Sequence, residues 1–411
     1  MRFSSPFLPA HPFDPSDGLD AVEVAMLAVA NNPDLKLARD DAGIARAQAF
    51  AAGLLPDPQL NFTRDFPFAA GPPTVTAFGL GLSYDVGSLV ARSAAESAAR
   101  SEQQKVDLNV LWQEWQTIGQ ARLLFVKIVY QQRTLDALER SRDLLALLHA
   151  RAGAALDRGE VAVGSVTPML TALQDAARRV AEQSRQLAQS REDLNALLGL
   201  PPGTVLKLVD SEEAAHIDEA TVRGLLSELP QRRADLMALK AGYGAQEQRL
   251  RQAVLAQFPA LNIGLTRTRD NTGINMRGFA ITMSLPVFNR NRGAIAVEGA
   301  TRERLHDEYQ TRLTKAYADI ERLLIDRTQL EAQRRAIETD VEQLGRIAGA
   351  AQSAFDRGDL DAFGYISFRS AAIGKQIDAL AIAQLIAEQR VALETLLGAQ
   401  VPAAQRVSSG P

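Results

Sequence analysis

The chain is poor in the residues that most often build chemical sites. Its 411 residues include no cysteine, which excludes disulfides, thiolate catalysis, cysteine zinc sites and lipids attached to cysteine. It has only four histidines and six methionines, so no soft or imidazole-rich metal site can be recognised. Long apolar runs are also missing: Leu123 to Val126 and Leu144 to Leu148 are far shorter than the roughly 18 residues of a membrane-spanning helix. We therefore expect no metal centre and no transmembrane helix.

Charge of one sign is equally scarce. The chain carries 45 basic and 49 acidic residues, a net charge of −4, without blocks of like charge, so nucleic acid is not a favoured partner. Gly79 and Gly81 lie within a predicted strand and do not form a phosphate-binding fingerprint. His149, His216 and His306 are far apart and follow no pattern, and no nucleophile with a base is recognisable. We expect a protein that is not an enzyme and needs no cofactor.

The sequence is rich in repetition. Pro58 recurs as Pro259, a shift of 201 residues, and Gly159 recurs as Gly358, a shift of 199. A repeat this long indicates that one structural unit was duplicated and that neither copy is complete alone. The predicted organisation is an N-terminal extension (1–19), a first repeat (20–200), a connector (201–218), a second repeat (219–398) and a disordered tail (399–411).

Each repeat contains a predicted β-hairpin. Apolar residues alternate with small or polar ones, and turn residues separate two alternating stretches in each repeat. The alternating apolar residues are Leu60, Phe62 and Phe66, then Phe78, Leu80, Leu82, Tyr84 and Val86, then Leu261, Ile263 and Leu265, then Phe279, Ile281, Met283 and Leu285. The turns are expected around Gly71-Pro72-Pro73 and from Arg269 to Gly273. The pattern predicts four strands of about eight to twelve residues, too few for a closed barrel.

A long helical hairpin follows each β-hairpin. No proline occurs from Ser88 to Ala155 or from Gly293 to Phe355, so each helix could run roughly 90 to 100 Å. The return helices are predicted from about 166 to 198 and from about 365 to 397. Their apolar residues follow steps of four and three, which predicts antiparallel coiled coils. On the first return helix these residues are Val166, Leu170, Leu173, Ala177, Val180, Leu187, Leu194 and Leu198.

The strands predict an oligomer, because an isolated hairpin leaves edges unpaired and is only marginally stable. Three chains would supply twelve strands, enough for a closed barrel with one apolar and one wet face. The residues expected to face lipid are Phe62, Phe78, Leu80, Leu82, Ile263, Leu265, Phe279, Ile281 and Met283. The alternative is a soluble coiled-coil scaffold or interaction protein without channel activity, which would not explain four strands placed identically in both repeats.

The duplicated order, from about Asp20 to Gly398, resembles the TolC-like outer-membrane efflux protein family, also called outer membrane factors. The specific matches are Leu55-Pro56-Asp57-Pro58-x-Leu60, Leu285-Pro286-Val287-Phe288-Asn289, the Arg-Gly tips and the Leu-Leu-Gly endings of both repeats. The resemblance implies a mainly α homotrimer with a small β part, a 12-stranded β-barrel and an α-helical tunnel. It also implies an outer-membrane location with a periplasmic extension.

The same resemblance implies a function and partners. The trimer would be a passive exit duct for drugs, metal cations or other small molecules. A periplasmic membrane-fusion adaptor and an inner-membrane pump, for example of the RND type, would deliver them. The Leu-Pro-Asp-Pro-x-Leu entry resembles the CzcC-like heavy-metal branch. Met1 to Pro6 show no secretory signal peptide. An outer-membrane protein needs one, so we expect an upstream start, a trimmed chain or a defective copy.

The resemblance also assigns site residues. The adaptor-docking tips are Asp157, Arg158, Gly159, Asp356, Arg357 and Gly358. A plainer interpretation of these tips is a pair of helix C-terminal turns, where Arg favours the dipole and Gly relaxes the backbone. Asp359, Asp361 and Tyr365 are the expected periplasmic gate, although the first repeat has Val161, Ala162 and Val166 there.

Overall fold

The computed structural model describes residues 13–68, 74–209, 218–284, 286 and 288–398, and these residues are mainly helical. The helices are α1 (Ala21–Asn31), α2 (Pro33–Ala52), α3 (Val86–Asp157), α4 (Val163–Leu197), α5 (Glu219–Leu226), α6 (Leu229–Arg232), α7 (Ala234–Leu255), α8 (Arg292–Asp356) and α9 (Ala362–Leu397). The strands are β1 (Gln59–Asp65), β2 (Ala77–Asp85), β3 (Ala260–Arg269) and β4 (Asn275–Ser284). Among the helices described, none has an apolar stretch long enough to cross a bilayer.

The chain divides into two compact units, and each takes residues from both repeats. The helical unit comprises Met1–Lys36, Trp112–Arg233 and Lys315–Pro411, and the sheet unit comprises Leu37–Leu111 and Ala234–Thr314. Each unit therefore combines equivalent segments of both repeats, whereas the boundaries predicted from the sequence separate one repeat from the other. Part of the predicted connector, 210–217, and the predicted tail, 399–411, lie outside the described residues.

The break between α1 and α2 follows from Asn32 and Pro33. The Asn32 Oδ1 accepts a hydrogen bond from the Leu35 backbone amide at 2.9 Å, and its Nδ2 donates to the Leu197 carbonyl at 2.8 Å. Proline suits the first turn of a helix because its missing amide has no partner there. The sequence Asn31-Asn32-Pro33 predicts a new helix at Pro33 with Asn32 as its cap, and the structure confirms both.

Trp115 lies in the core of the helical unit. Its side chain is 4% exposed and belongs to an apolar cluster with Met26 and Ile118. The indole Nε1 donates to the Thr395 carbonyl at 2.9 Å, which satisfies the polar end of the ring. Both tryptophans lie about 25 residues beyond the second predicted strand, which favours core packing over an interfacial aromatic belt. Core packing is confirmed for Trp115, while the half-buried Trp112 packs under the Arg233 guanidinium, 4.7 Å from the ring centroid.

The seam of the first helical hairpin was predicted correctly at one end and wrongly at the other. Val180, Leu187, Leu194 and Leu198 are buried as expected. Towards the tip, Met169 and Ala176 are buried instead of Leu170 and Ala177, which are exposed. Both choices keep steps of four and three through Leu173 and Val180. The spacing of apolar residues therefore fits two sets of neighbouring positions. A straight helix drifts relative to the heptad, so the sequence alone could not decide which set is buried.

The four strands form one antiparallel sheet in the order β1-β2-β3-β4. They contain 7, 9, 10 and 10 residues, so β1 is slightly shorter than predicted. Phe66 and Val86 were expected in strands, but β1 ends at Asp65, and α3 begins at Val86. Arg269 was expected in the second turn, whereas it pairs with Asn275 as the last residue of β3. The predicted turn at 71–73 lies outside the described residues.

Arg122 and Glu394 form a buried ion pair in the helical unit. The Arg122 Nη1 lies 2.5 Å from the Glu394 Oε2, and the two side chains are 8% and 2% exposed. Arg390 approaches the other carboxylate oxygen at 3.3 Å. Removing one partner of a buried pair is costly, since the other charge stays desolvated.

We expect Glu394→Gln to lower the free energy of unfolding by about 3 kcal/mol or more. Urea unfolding of the purified protein in detergent, followed by circular dichroism, measures the change. Glu182→Gln is the control, because Glu182 forms an exposed pair with Arg185, and it should leave the midpoint almost unchanged. Equal midpoints for the two variants would contradict the structural role of the buried pair.

Glycine ends both long helices in a left-handed conformation. Gly159 follows α3 with φ 75°, and Gly358 follows α8 with φ 81°. A Cβ at such a φ crowds the following carbonyl oxygen, at a cost of about 1–2 kcal/mol.

Gly358→Ala is expected to destabilise the protein by about 1 kcal/mol. Gly349→Ala provides the matched control, because Gly349 lies inside α8 with open space around its Cβ position. The control should gain up to about 1 kcal/mol from helix propensity. Thermal unfolding compares the two, and a shift of both midpoints in the same direction would argue against a strained turn.

Candidate functional site

The two helical hairpins reverse through the same turn. At the first tip the Glu160 amide donates to the Ala155 carbonyl at 2.9 Å, and at the second the Asp359 amide donates to the Ala354 carbonyl at 2.9 Å. Each of these bonds closes the turn around the left-handed glycine described above. The predicted tip residues therefore occupy equivalent turns in the helical unit.

Each tip carries an arginine paired with an acid two residues later. The Arg158 Nε and Nη2 donate to Glu160 at 2.7 and 3.0 Å, and the Arg357 Nε donates to Asp359 at 2.9 Å. More than half of each of these side chains is exposed. The hydrogen bond from Arg158 lowers the pKa of Glu160. The ion pair is therefore present at neutral pH and is lost when the Glu160 carboxylate is protonated at low pH. Glu160 is a tip residue that the sequence interpretation did not assign.

An apolar groove lies next to the tips in the helical unit. Its lining includes Leu148, Met169, Phe355 and Phe363, with Arg151 at the margin. The Phe363 side chain is 59% exposed. The groove is built from both repeats, and sequence reasoning did not identify it because its residues are distant in the chain. The tips thus combine exposed charged turns with an exposed apolar surface.

The three predicted gate residues occupy different environments. Tyr365 is 5% exposed, stacks on Phe355 with 5.0 Å between ring centroids, and donates its hydroxyl hydrogen to the Gln352 amide oxygen. Asp361 caps α9 by accepting from the Gly364 amide at 2.7 Å. Asp359 is the acid of the second tip. The gate therefore stays a prediction, and Tyr365 would have to leave its stacked position to enter a pore.

The register of the sheet places the nine predicted lipid-facing residues on one face. Directly opposite residues share a face, and side chains alternate along each strand. The paired rows on this face, starting at the turns, are Arg64–Phe78–Arg269–Asn275, Phe62–Leu80–Arg267–Arg277, Leu60–Leu82–Leu265–Phe279, Tyr84–Ile263–Ile281 and Leu261–Met283. Most of these apolar side chains are exposed, including Phe279 at 64% and Ile281 at 62%.

The other face of the sheet is mostly polar or small, with Met276 near the turns as an exception. It carries Asn61, Thr63, Ser83, Asn262, Thr282 and Ser284, which alternate with the apolar residues and therefore belong to the predicted wet face. A Cβ at Gly79 would lie 2.6 Å from the Thr63 Oγ1, so any larger residue there would force the Thr63 side chain to shift. The sheet therefore separates an apolar surface from a hydrophilic one across a single layer.

The first two rows of the apolar face contain arginines that sequence reasoning missed. Arg267 was not assigned to a strand and Arg269 was placed in a turn, so four arginines were not seen to share a face. We call the rows containing Arg64, Arg267, Arg269 and Arg277 the turn-side rows. Phe62, Phe78 and Leu80 of the predicted lipid-facing set belong to these rows. The alternation of β3 and β4 could have revealed them if the strands had been extended to the turn.

Across the described ranges of the chain, no group of three or more His, Asp or Glu side chains could hold a metal ion. His306 is exposed beside Asp307, with 3.4 Å between Nδ1 and Oδ1, and His149 is half-buried. His216 lies outside the described residues.

Comparisons with known proteins agree with this geometry. Residues 225–399 match the family described as outer membrane efflux protein. The pyoverdine export outer membrane protein OpmQ of Pseudomonas putida is 29% identical over 364 residues, which cover 79% of this chain and 74% of that protein. The Campylobacter jejuni CmeC outer membrane channel has the same fold, with a TM-score of 0.78, 16% identity and coverage of 95% and 88%.

A further solved structure, the Vibrio cholerae outer membrane protein VceC, has a TM-score of 0.74 at 16% identity and covers 93% of this chain and 97% of its own. The matched family region is the second repeat, while the similarity to OpmQ and to both structures extends over most of the chain. The second repeat thus matches the outer membrane efflux protein family, and most of the chain is similar to OpmQ and to solved outer membrane channels.

Proposed function

We propose that this chain is one third of a passive exit duct, as the outer-membrane channel component of an efflux system. The observation that carries the proposal is the four-stranded sheet with an exposed apolar face and a polar opposite face. Exposed apolar patches of this extent mark contact with another protein or a membrane. A sheet with lipid on one side and water on the other is the wall of an aqueous pore.

The sheet requires further copies to become such a wall. Its outer strands, β1 and β4, end the order β1-β2-β3-β4, and open edges are not tolerated in hydrocarbon because their polar groups find no water. Three copies give twelve strands, within the range of closed outer-membrane barrels. In this assembly β1 of one chain pairs with β4 of the next, and the apolar rows face lipid.

The helical hairpins would continue the duct and meet its partners at their tips. The exposed Arg158–Glu160 and Arg357–Asp359 pairs and the adjacent apolar groove suit a periplasmic membrane-fusion adaptor, because charges steer encounter and apolar side chains supply contact area. The adaptor would connect the duct to an inner-membrane pump. Opening would require Asp359, Asp361 and Tyr365 to change their contacts near the second tip.

The duct itself would select cargo only weakly. Pyoverdine export is named for the OpmQ relatives, so an organic molecule is one cargo class. Heavy-metal cations, suggested by the Leu-Pro-Asp-Pro-x-Leu entry, are the second, and they need no binding site in a water-filled pore. Delivery by the pump and adaptor would set the substrate.

Two neighbouring residues of β4 test the channel. Purified protein should be trimeric in detergent and should conduct ions in planar bilayers. Ile281→Arg puts a charge on the lipid-facing surface, at a cost of about 2–4 kcal/mol near the bilayer midplane, and should sharply lower membrane assembly. Thr282→Arg puts the same charge on the opposite face and should leave assembly intact while shifting conduction towards anions.

A non-conducting monomer or dimer would support the soluble scaffold instead and would overturn the channel. Equal loss of assembly in both β4 variants would show that the two faces are not distinct. Gel filtration with light scattering and single-channel recording provide the two measurements.

The tips are tested by charge reversal. Arg158→Glu combined with Arg357→Glu removes both exposed pairs and places like charges together. We expect crosslinking to the adaptor in cells to fall roughly tenfold, as for the loss of charge complementarity at an interface. Conductance of the purified trimer should not change.

Arg185→Glu is the matched control, because Arg185 is similarly exposed and pairs with Glu182 along α4. The tip assignment would be wrong if this control reduced crosslinking as much as the double variant. It would also be wrong if the double variant crosslinked normally.

A further inference from the structure

The turn-side rows hold an unfavourable charge arrangement. Arg267 on β3 lies directly opposite Arg277 on β4, so two residues of like charge occupy paired positions on neighbouring strands. Like charges in this position destabilise a sheet. Both side chains are exposed. Arg64 and Arg269 belong to the next row towards the turns, so four positive charges occupy two successive rows.

The described part of the face supplies no negative charge. Its rows contain apolar residues, one asparagine and the arginines. The strand acids Asp65 and Asp85 alternate to the polar face, and Asp85 accepts from the Ser88 amide at 3.1 Å. Asp270, in the turn, accepts from the backbone amides of Thr272 and Ile274, both at 2.9 Å. Asp65 and Asp85 thus lie on the opposite face, and the Asp270 carboxylate is engaged by its own turn.

The three rows beyond the arginines are apolar apart from the Tyr84 hydroxyl. Successive rows on one face are two residues apart, or about 7 Å. The face is therefore a strip with positive charge at the turns and an apolar surface extending from it. A lipid with a phosphate headgroup has the complementary form: an anion attached through a glycerol backbone to acyl chains. Guanidinium groups bind phosphate by paired, charge-assisted hydrogen bonds.

We propose that Arg267 and Arg277, with Arg64 and Arg269 in the adjacent row, bind phosphate groups of anionic membrane lipid at the turn-side edge of the bilayer. The lipid phosphate supplies the counter-charge that the face lacks, and the acyl chains cover the apolar rows. This proposal rests on the proposed channel, since it requires the apolar face to meet lipid. It assigns the site to one edge of the sheet and to phosphate, beyond general contact with hydrocarbon.

The test compares lipids of equal chain length on the whole trimer. Thermal unfolding is followed in detergent during titration with phosphatidylglycerol, with zwitterionic phosphatidylcholine, and with inorganic phosphate alone. We expect phosphatidylglycerol to raise the midpoint more than phosphatidylcholine. In the double variant Arg267→Gln and Arg277→Gln, the apparent affinity for phosphatidylglycerol should fall roughly tenfold. Arg46→Gln with Arg251→Gln, two exposed helix arginines of the sheet unit, is the control and should behave as the wild type.

A second comparison separates binding from a structural role. Without anionic lipid, Arg277→Gln alone should raise the midpoint, because it relieves the repulsion from Arg267. With phosphatidylglycerol the order should reverse. A variant that is less stable in both conditions would show that Arg277 serves only the fold, and would overturn the proposal.

The remaining outcomes are also decisive. Equal effects of the two lipids would leave only apolar contact, and an equal shift with inorganic phosphate would indicate a free-anion site; either overturns the lipid assignment. Capture of an acidic protein in place of lipid would do the same. If the wild type conducts as a trimer but does not discriminate lipids, this inference fails while the channel stands. If it neither inserts nor conducts, the channel itself fails.

Discussion

The structure depends on a sheet whose two faces cannot both be satisfied by one chain in water. Alternation along four strands produces an apolar face with exposed Phe279 and Ile281 and a polar face with Asn61 and Thr282. The hydrophobic effect favours covering the first face, and the unpaired outer strands favour further strands at both edges. Membrane insertion with closure of the sheet meets both demands at once. The sheet therefore accounts for the further copies of the chain that the proposed channel requires.

The duplication serves the same constraint. One repeat contributes one hairpin and one helical hairpin, and the register joins the two β-hairpins through the pairing of β2 with β3. The two tips reproduce a left-handed glycine and an arginine paired with an acid two residues later. They differ just beyond the turn, where Asp361 caps α9 but Ala162 offers no side-chain cap to α4. Two copies of one unit can thus keep the same architecture and still present different surfaces to a partner.

The sequence predicted whatever depends on local periodicity. The strands, the Asn32–Pro33 break and the long helices follow from alternation, capping and the absence of proline, and they were found within a few residues. The seam near Met169 was missed because steps of four and three fit two neighbouring sets of residues, and only packing against a second helix selects between them. The tip groove and the opposition of Arg267 and Arg277 are long-range features. They depend on pairing between segments, which a single sequence does not specify.

The turn-side rows show how a violation of a local rule can be informative. Sheets normally avoid like charges at directly opposite positions, because each such pair lowers the stability of the sheet. A charged arginine near the bilayer midplane costs about 2–4 kcal/mol, but the cost falls to about 0–1 kcal/mol near the interface. Arg267 and Arg277 lie in the second row from the turns, beside a continuous apolar surface, where such a charge is tolerated. Their repulsion is unfavourable in the isolated chain. An anion bound between them would attract both guanidinium groups and offset that repulsion. The position of the pair is therefore explained by the surroundings of the sheet rather than by its own stability.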